Sequence, residues 1–169
     1  ATLEEIDSAV KFKLGFPMGI FELADFTGMD VIHKATVEMH LRDKKVINPH
    51  PTIGKMFDEK KLGQKSGEGY YKYSDDKYER VALSEELAEK FNPIQLVANI
   101  LNNAAWLITN GASDISEIEK AAQLGLGLKK PLFETAKEIG IKNIVEELNR
   151  LEKEHGEFYK PDPLLISML

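Results

Sequence analysis

Residues 15–30 read GFPMGIFELADFTGMD, and residues 127–142 read GLKKPLFETAKEIGIK. Glycine, phenylalanine, glutamate, alanine and glycine fall in the same places, 112 residues apart. The same interval carries Ile6 to Ile118, Ala9 to Ala121, Leu14 to Leu126, Pro49 to Pro161, Pro51 to Pro163 and Met56 to Met168, without a gap over residues 1–57. A period this long is not that of a solenoid, whose repeats run to about 20–50 residues. The echo therefore predicts a duplicated unit, and whatever one copy folds into, the other is expected to fold into as well.

The unit reads as helical. Thr2-Leu3-Glu4-Glu5 forms a capping box, and Leu3, Ile6, Val10 and Leu14 follow on one helical face. Gly15 ends that helix, because glycine enters the left-handed conformation without a steric penalty. Ile20 to Thr27 is a short helix closed by Gly28. Asp30 caps a third helix to about Lys44, with Val31, Ala35 and Met39 inward. Pro49 and Pro51 force an extended strap, and Ile53 to Lys61 is one more short helix. GQKSGEGYYKY is a loop or short strand pair, and Ser74 to Arg80 a linker. Ser84 caps a brief helix to Lys90. Asn92-Pro93 opens a long helix striped by Ile94, Val97, Leu101, Ala104, Ala105 and Ile108, which Asn110-Gly111 stops. Every element points to an all-α fold, with a first repeat over residues 1–80 and a second over 81–169. The first lacks its leading helix and the second its C-terminal loop, so a piece of a longer chain is expected.

Composition excludes several functions. A formal charge of -6 argues against nucleic acid, which draws basic surfaces. No cysteine is present, so disulfide and thiol chemistry are out. No apolar run reaches the roughly 20 residues of a membrane span, and a cytoplasmic setting is expected. His33 and His40 share a helix face but lack a completing carboxylate, so no metal site is assigned. GLGLKK at Gly125 follows a helix and lacks the third glycine of a dinucleotide fingerprint. Lys65-Ser66 precede their glycines, unlike a phosphate loop. Glu22 and Glu134 lie in the first turns of their short helices, where the dipole favours an anion. Trp106 belongs to the core or to an interface.

Phe16, Pro17, Met18 and Gly19 remain as the candidate site. The turn is apolar and stiff and adjoins a helix N-terminus, which suits either a wall of an acyl pocket or helix packing. The second copy keeps the bend but reads Leu128-Lys129-Lys130-Pro131, which changes its surface.

LGFPMGIFELADFTGMD resembles the signature G-x-P-M-G-P-F-E-L-x-D-x-x-G-L-D of the C-terminal domain of 3-hydroxyacyl-CoA dehydrogenases, with Ile20 for the second proline and Met29 for the leucine. GQKSGEGYYKY resembles the family's K-S-G-x-G-F-Y-x-Y, with Tyr70 for phenylalanine. Residues from about Asn92 to Leu169 resemble the second copy of this domain in the multifunctional fatty-acid oxidation enzymes. The resemblance implies a helical domain similar to those of 6-phosphogluconate-dehydrogenase-type enzymes. It implies oxidation of a 3-hydroxyacyl-CoA to the 3-oxoacyl-CoA in β-oxidation, with NAD held by a Rossmann domain that also carries the catalytic pair and lies outside this chain. It further implies an acyl-CoA cleft walled by this half, a homodimer and possible fusion to an enoyl-CoA hydratase domain. The family's cleft asparagine has Asn92 as its nearest candidate here, and no catalytic residue is assigned. A non-catalytic helical association module is the alternative.

Overall fold

The computed structural model of the chain describes residues 1–44, 46, 48–74 and 82–169. Among these residues the regular elements are helices alone, joined by two isolated antiparallel bridges, Gly63 to Glu68 and Glu68 to Lys72. The fold is all-α, as expected. The expected linker, Ser74 to Arg80, lies outside the described residues from position 75 onward. The chain divides into two compact units, Ala1–Val10 with Met18–Phe91, and Lys11–Pro17 with Asn92–Leu169.

The first unit begins with α1 (Leu3–Phe12), whose last two residues belong to the second unit. The capping box forms: the Glu5 amide donates to Thr2 Oγ1 at 3.2 Å and the Thr2 amide to Glu5 Oε2 at 2.9 Å. α2 (Ile20–Thr27) and α3 (Met29–Arg42) meet at Gly28. α4 is Pro51–Asp58, and α5 is Glu85–Ala88, capped by Ser84, whose hydroxyl accepts the Leu87 amide at 3.2 Å.

Three expectations fail in this unit. Pro51 starts a helix instead of extending a strap: it takes the first turn of α4, where a missing N–H costs nothing, and His50 Nδ1 accepts the Thr52 amide at 3.3 Å. The inward face of α3 is also another one. Val31 and Met39 are 50% and 54% exposed, and Ala35 is exposed. α3 turns the side bearing His33 toward α4, where its ring stacks on Phe57 at 4.7 Å and occupies the space beside Gly54. The N-cap of α3 is Gly28, and Asp30 pairs with Lys65 instead.

The second unit holds α6 (Ile94–Thr109), α7 (Ile115–Leu126), α8 (Leu132–Ile139), α9 (Ile141–His155) and α10 (Pro163–Ser167). The predicted stripe of α6 supplies its core. Val97, Leu101, Ala104 and Ala105 pack with Phe133, Ile144, Leu148 and Leu165 in one cluster. Each fully buried leucine there contributes roughly 1.5–3 kcal/mol. Trp106 is 56% exposed and so is not a core residue; it lies outside the buried stripe of α6.

α1, α2, α3 and α4 begin 112 residues before α7, α8, α9 and α10. Caps recur at the same interval. Thr2 accepts the Glu5 amide as Asp114 accepts that of Glu117, and His50 accepts the Thr52 amide as Asp162 accepts that of Leu164. Gly28 and Gly140 have φ of 98° and 94°.

Candidate functional site

The turn predicted as the site is built around a side chain the sequence reading did not single out. Asp7 in α1 is fully buried. Its Oδ1 accepts the Phe21 amide at 2.9 Å and its Oδ2 the Glu22 amide at 3.0 Å. These are among the first amides of α2, which have no partner inside the helix. Oδ2 also accepts the Tyr71 hydroxyl at 2.9 Å. Gly19 lies directly on this carboxylate, and a Cβ at residue 19 would overlap the Asp7 side chain. Glycine is therefore required here by close approach rather than by an unusual φ, which is -71°. Glu22 completes the knot, its Oε2 accepting the Gly19 amide at 2.9 Å.

Burial pushes the Asp7 carboxyl above its ordinary range. Hydrogen bonds from Phe21, Tyr71 and Glu22 pull the other way, and the nearby Glu22 carboxylate adds to the rise. Burial, and next the negative Asp7, push the Tyr71 hydroxyl far upward, so it stays protonated and donates.

Asp25, also fully buried, organises the tyrosine loop. It accepts the amides of Tyr70 and Tyr71 at 2.9 Å each and the Tyr73 hydroxyl at 2.7 Å. Gly69 packs so closely on its carboxylate that a Cβ there would overlap it. Lys65 and Ser66, weighed as a phosphate loop, are committed elsewhere. Lys65 pairs with Asp30. Ser66 Oγ accepts the Leu62 amide at 2.8 Å and donates to the carbonyls of Gly63 and Glu68.

The second copy repeats the carboxylate device with a shift. Glu119 stands 112 residues after Asp7 and accepts the amides of Leu132 and, at 2.8 Å, Phe133. The predicted pairing of Glu22 with Glu134 divides here. Glu22 is buried with its carboxylate on the Gly19 amide, whereas Glu134 is exposed. The counterpart of Gly19 is Pro131, which has no N–H to offer a glutamate.

The four predicted site residues are distributed as follows. Phe16 lines a small apolar recess of the second unit with Leu14, Val97, Ile100, Leu128, Leu132 and Thr135. Pro17 is exposed on one side and packs on Gly127 of the same unit. Met18 is half-buried and Gly19 buried, both in the first unit. Asn92 spends its side-chain oxygen on the Ile94 amide at 3.1 Å. Asn99, in the second turn of α6, keeps a buried Oδ1 without a hydrogen-bond partner among the described residues. The sequence reading passed over Asn99, because local spacing does not reveal an unsatisfied atom.

Gly125 lies inside α7, and the first amides of α2 and α8 are taken by Asp7 and Glu119. No group of three or more metal-ligating side chains stands together among the described residues. Nor is any of their helices long and apolar enough to cross a membrane.

These features define two all-helical units, in the first of which a buried carboxylate anchors the start of a short helix. The family described as "3-hydroxyacyl-CoA dehydrogenase, C-terminal domain" matches residues 1–73 and 94–169, and the chain belongs to that family. The mitochondrial hydroxyacyl-coenzyme A dehydrogenase of Rattus norvegicus is 41% identical over 75 residues, 43% of this chain and 24% of that protein. A probable 3-hydroxybutyryl-CoA dehydrogenase of Deinococcus radiodurans is 43% identical over 72 residues, 41% of this chain and 26% of that protein. The chain thus spans about a quarter of the length of these curated relatives. In fold, the chain is similar to a 3-hydroxybutyryl-CoA dehydrogenase of Escherichia coli, with a TM-score of 0.78 at 19% identity, over 99% of this chain and 54% of the other. It is likewise similar to the dehydrogenase part of a multifunctional enzyme of C. elegans, with a TM-score of 0.67 at 21% identity, over 99% of this chain and 42% of the other.

Proposed function

We propose that the chain is the helical substrate-binding and dimerisation region of an NAD-dependent 3-hydroxyacyl-CoA dehydrogenase, converting 3-hydroxyacyl-CoA to 3-oxoacyl-CoA in fatty-acid β-oxidation. The observation that carries this reading is the family match on both stretches, 1–73 and 94–169. The 112-residue recurrence of helix starts and caps supports two copies of one helical unit, residues 1–80 and 81–169. NAD is assigned to a Rossmann domain outside these residues, so no hydride-transfer step is assigned to them, and the chain alone is inactive. A homodimer, a larger fusion that includes a hydratase domain and a cytoplasmic setting complete the proposal.

Phe16, Pro17, Met18 and Gly19 line the acyl-CoA site in this reading. Phe16 borders an apolar recess, and the Asp7 anchor fixes the backbone at Gly19 and the start of α2. The alternative is a helical association module without ligand. Calorimetry with acetoacetyl-CoA separates the two, followed by an activity assay after addition of an NAD-binding domain from the same family. Binding and restored NADH-dependent reduction are expected; failure of both assigns the chain to the association module.

A further inference from the structure

The two signatures are 40-odd residues apart in sequence, yet they share one hydrogen-bonded chain. The Tyr71 hydroxyl of the second signature donates to Asp7 Oδ2, and the same carboxylate receives the Phe21 and Glu22 amides just past the first signature's bend. Asp7, Glu22 and Tyr71 are 0%, 3% and 8% exposed, so little water can replace any member. Asp25 fixes the tyrosine loop from its other side through the Tyr70 and Tyr71 amides and the Tyr73 hydroxyl. A buried carboxylate that loses one donor keeps its desolvation cost and holds its remaining partners less firmly.

We infer that Asp7 and Tyr71 are positioning residues: Tyr71 orients the Asp7 carboxylate, and Asp7 sets where α2 begins and how Met18 and Gly19 are presented. The GQKSGEGYYKY loop is then a clamp on the turn, and its lysine and serine serve the clamp instead of a phosphate. The anchoring stands on the geometry alone. Its consequence for acyl-CoA rests on the function proposed above.

Two measurements test the two parts separately. In the first, amide hydrogen exchange of the labelled chain is followed by NMR in Tyr71→Phe, Asp7→Asn and Glu119→Gln. Tyr71→Phe and Asp7→Asn are expected to speed exchange at Phe21 and Glu22 about tenfold or more relative to the slow amides of α3. Glu119→Gln should instead speed Leu132 and Phe133. Unchanged protection at Phe21 and Glu22, or a uniform loss across the unit, overturns the anchoring. If Asp7→Asn does not fold, Tyr71→Phe, which removes only a hydroxyl, carries the test.

In the second measurement, with an NAD-binding domain added, Tyr71→Phe should raise KM for acetoacetyl-CoA several-fold and change kcat by less than about twofold. Faster exchange with an unchanged KM keeps the clamp and removes its role in substrate presentation. No acyl-CoA binding by the unaltered chain overturns the functional reading, and the exchange data still decide the anchoring.

Discussion

Gly19 and Pro131 show how one residue redirects a shared device. Both precede a short helix whose first amides are taken by a carboxylate from the helix before. Where the residue is glycine, Asp7 fits beneath the backbone, and a capping glutamate reaches the glycine amide. Where it is proline, a longer glutamate serves the helix one residue earlier. Gly19→Ala is therefore expected to destabilise by about 1–3 kcal/mol, the usual cost of an overpacked site, although φ there suits alanine. Chemical denaturation checks the figure; a loss under about 0.5 kcal/mol would mean that Asp7 moves aside freely. The glycine itself was legible in the sequence, but its reason was not. Capping rules see partners three or four residues away, whereas Asp7 and Phe21 lie fourteen apart.

Some boundaries followed from local chemistry, whereas the start of α4 and the inward face of α3 did not. The start of α2, its end at Gly28 and the Ser84 cap were readable from residue types at short range. The inward side of α3 was misread because Val31, Ala35 and Met39 form an acceptable apolar stripe, while the packed side carries His33, which the pattern treats as polar. α9 presents a simpler case, with charge on its outer face. Arg150 makes paired hydrogen bonds to Glu147 at 2.6 and 3.0 Å and a third to Glu154 at 2.6 Å. The Arg150 hydrogen bonds hold the Glu147 carboxyl below its ordinary value of 4.5. A depressed acid contributes stability above its unfolded pKa and loses it as pH falls through the folded one. Glu147→Gln should thus cost about 0.5 kcal/mol near neutrality, a modest figure because Arg150 is half-exposed, and less near pH 2. Urea unfolding of both proteins at the two pH values measures the difference, and a gap that persists undiminished in acid would contradict the ion-pair origin.

The units of the molecule are stabilised by different means. The first buries Asp7, Ser8, Glu22 and Asp25 beside a modest set of apolar side chains. Its order depends on donors meeting acceptors, which single-sequence patterns do not expose. The second buries Leu101, Ile144, Leu148 and Leu165 completely in one apolar cluster, the kind of core that a 3.6-residue stripe announces. That contrast explains why the sequence located the core of the second copy more readily than that of the first. It also points to a sensitive apolar position in the second unit. Leu148 is fully buried in α9 within a cluster to which α6, α8 and α10 also contribute, so truncation leaves a cavity that rigid helices close only in part. Leu148→Ala is expected to cost about 2–5 kcal/mol. Trp106, the single tryptophan, sits on α6 of the same unit and reports its unfolding by fluorescence, with far-UV circular dichroism as a second probe. A loss below about 1 kcal/mol would show that the helices collapse onto the vacated space, and that the cluster is held by the Asn102–Asp162 and Thr109–Asp162 hydrogen bonds, at 2.8 and 2.6 Å, rather than by its leucines.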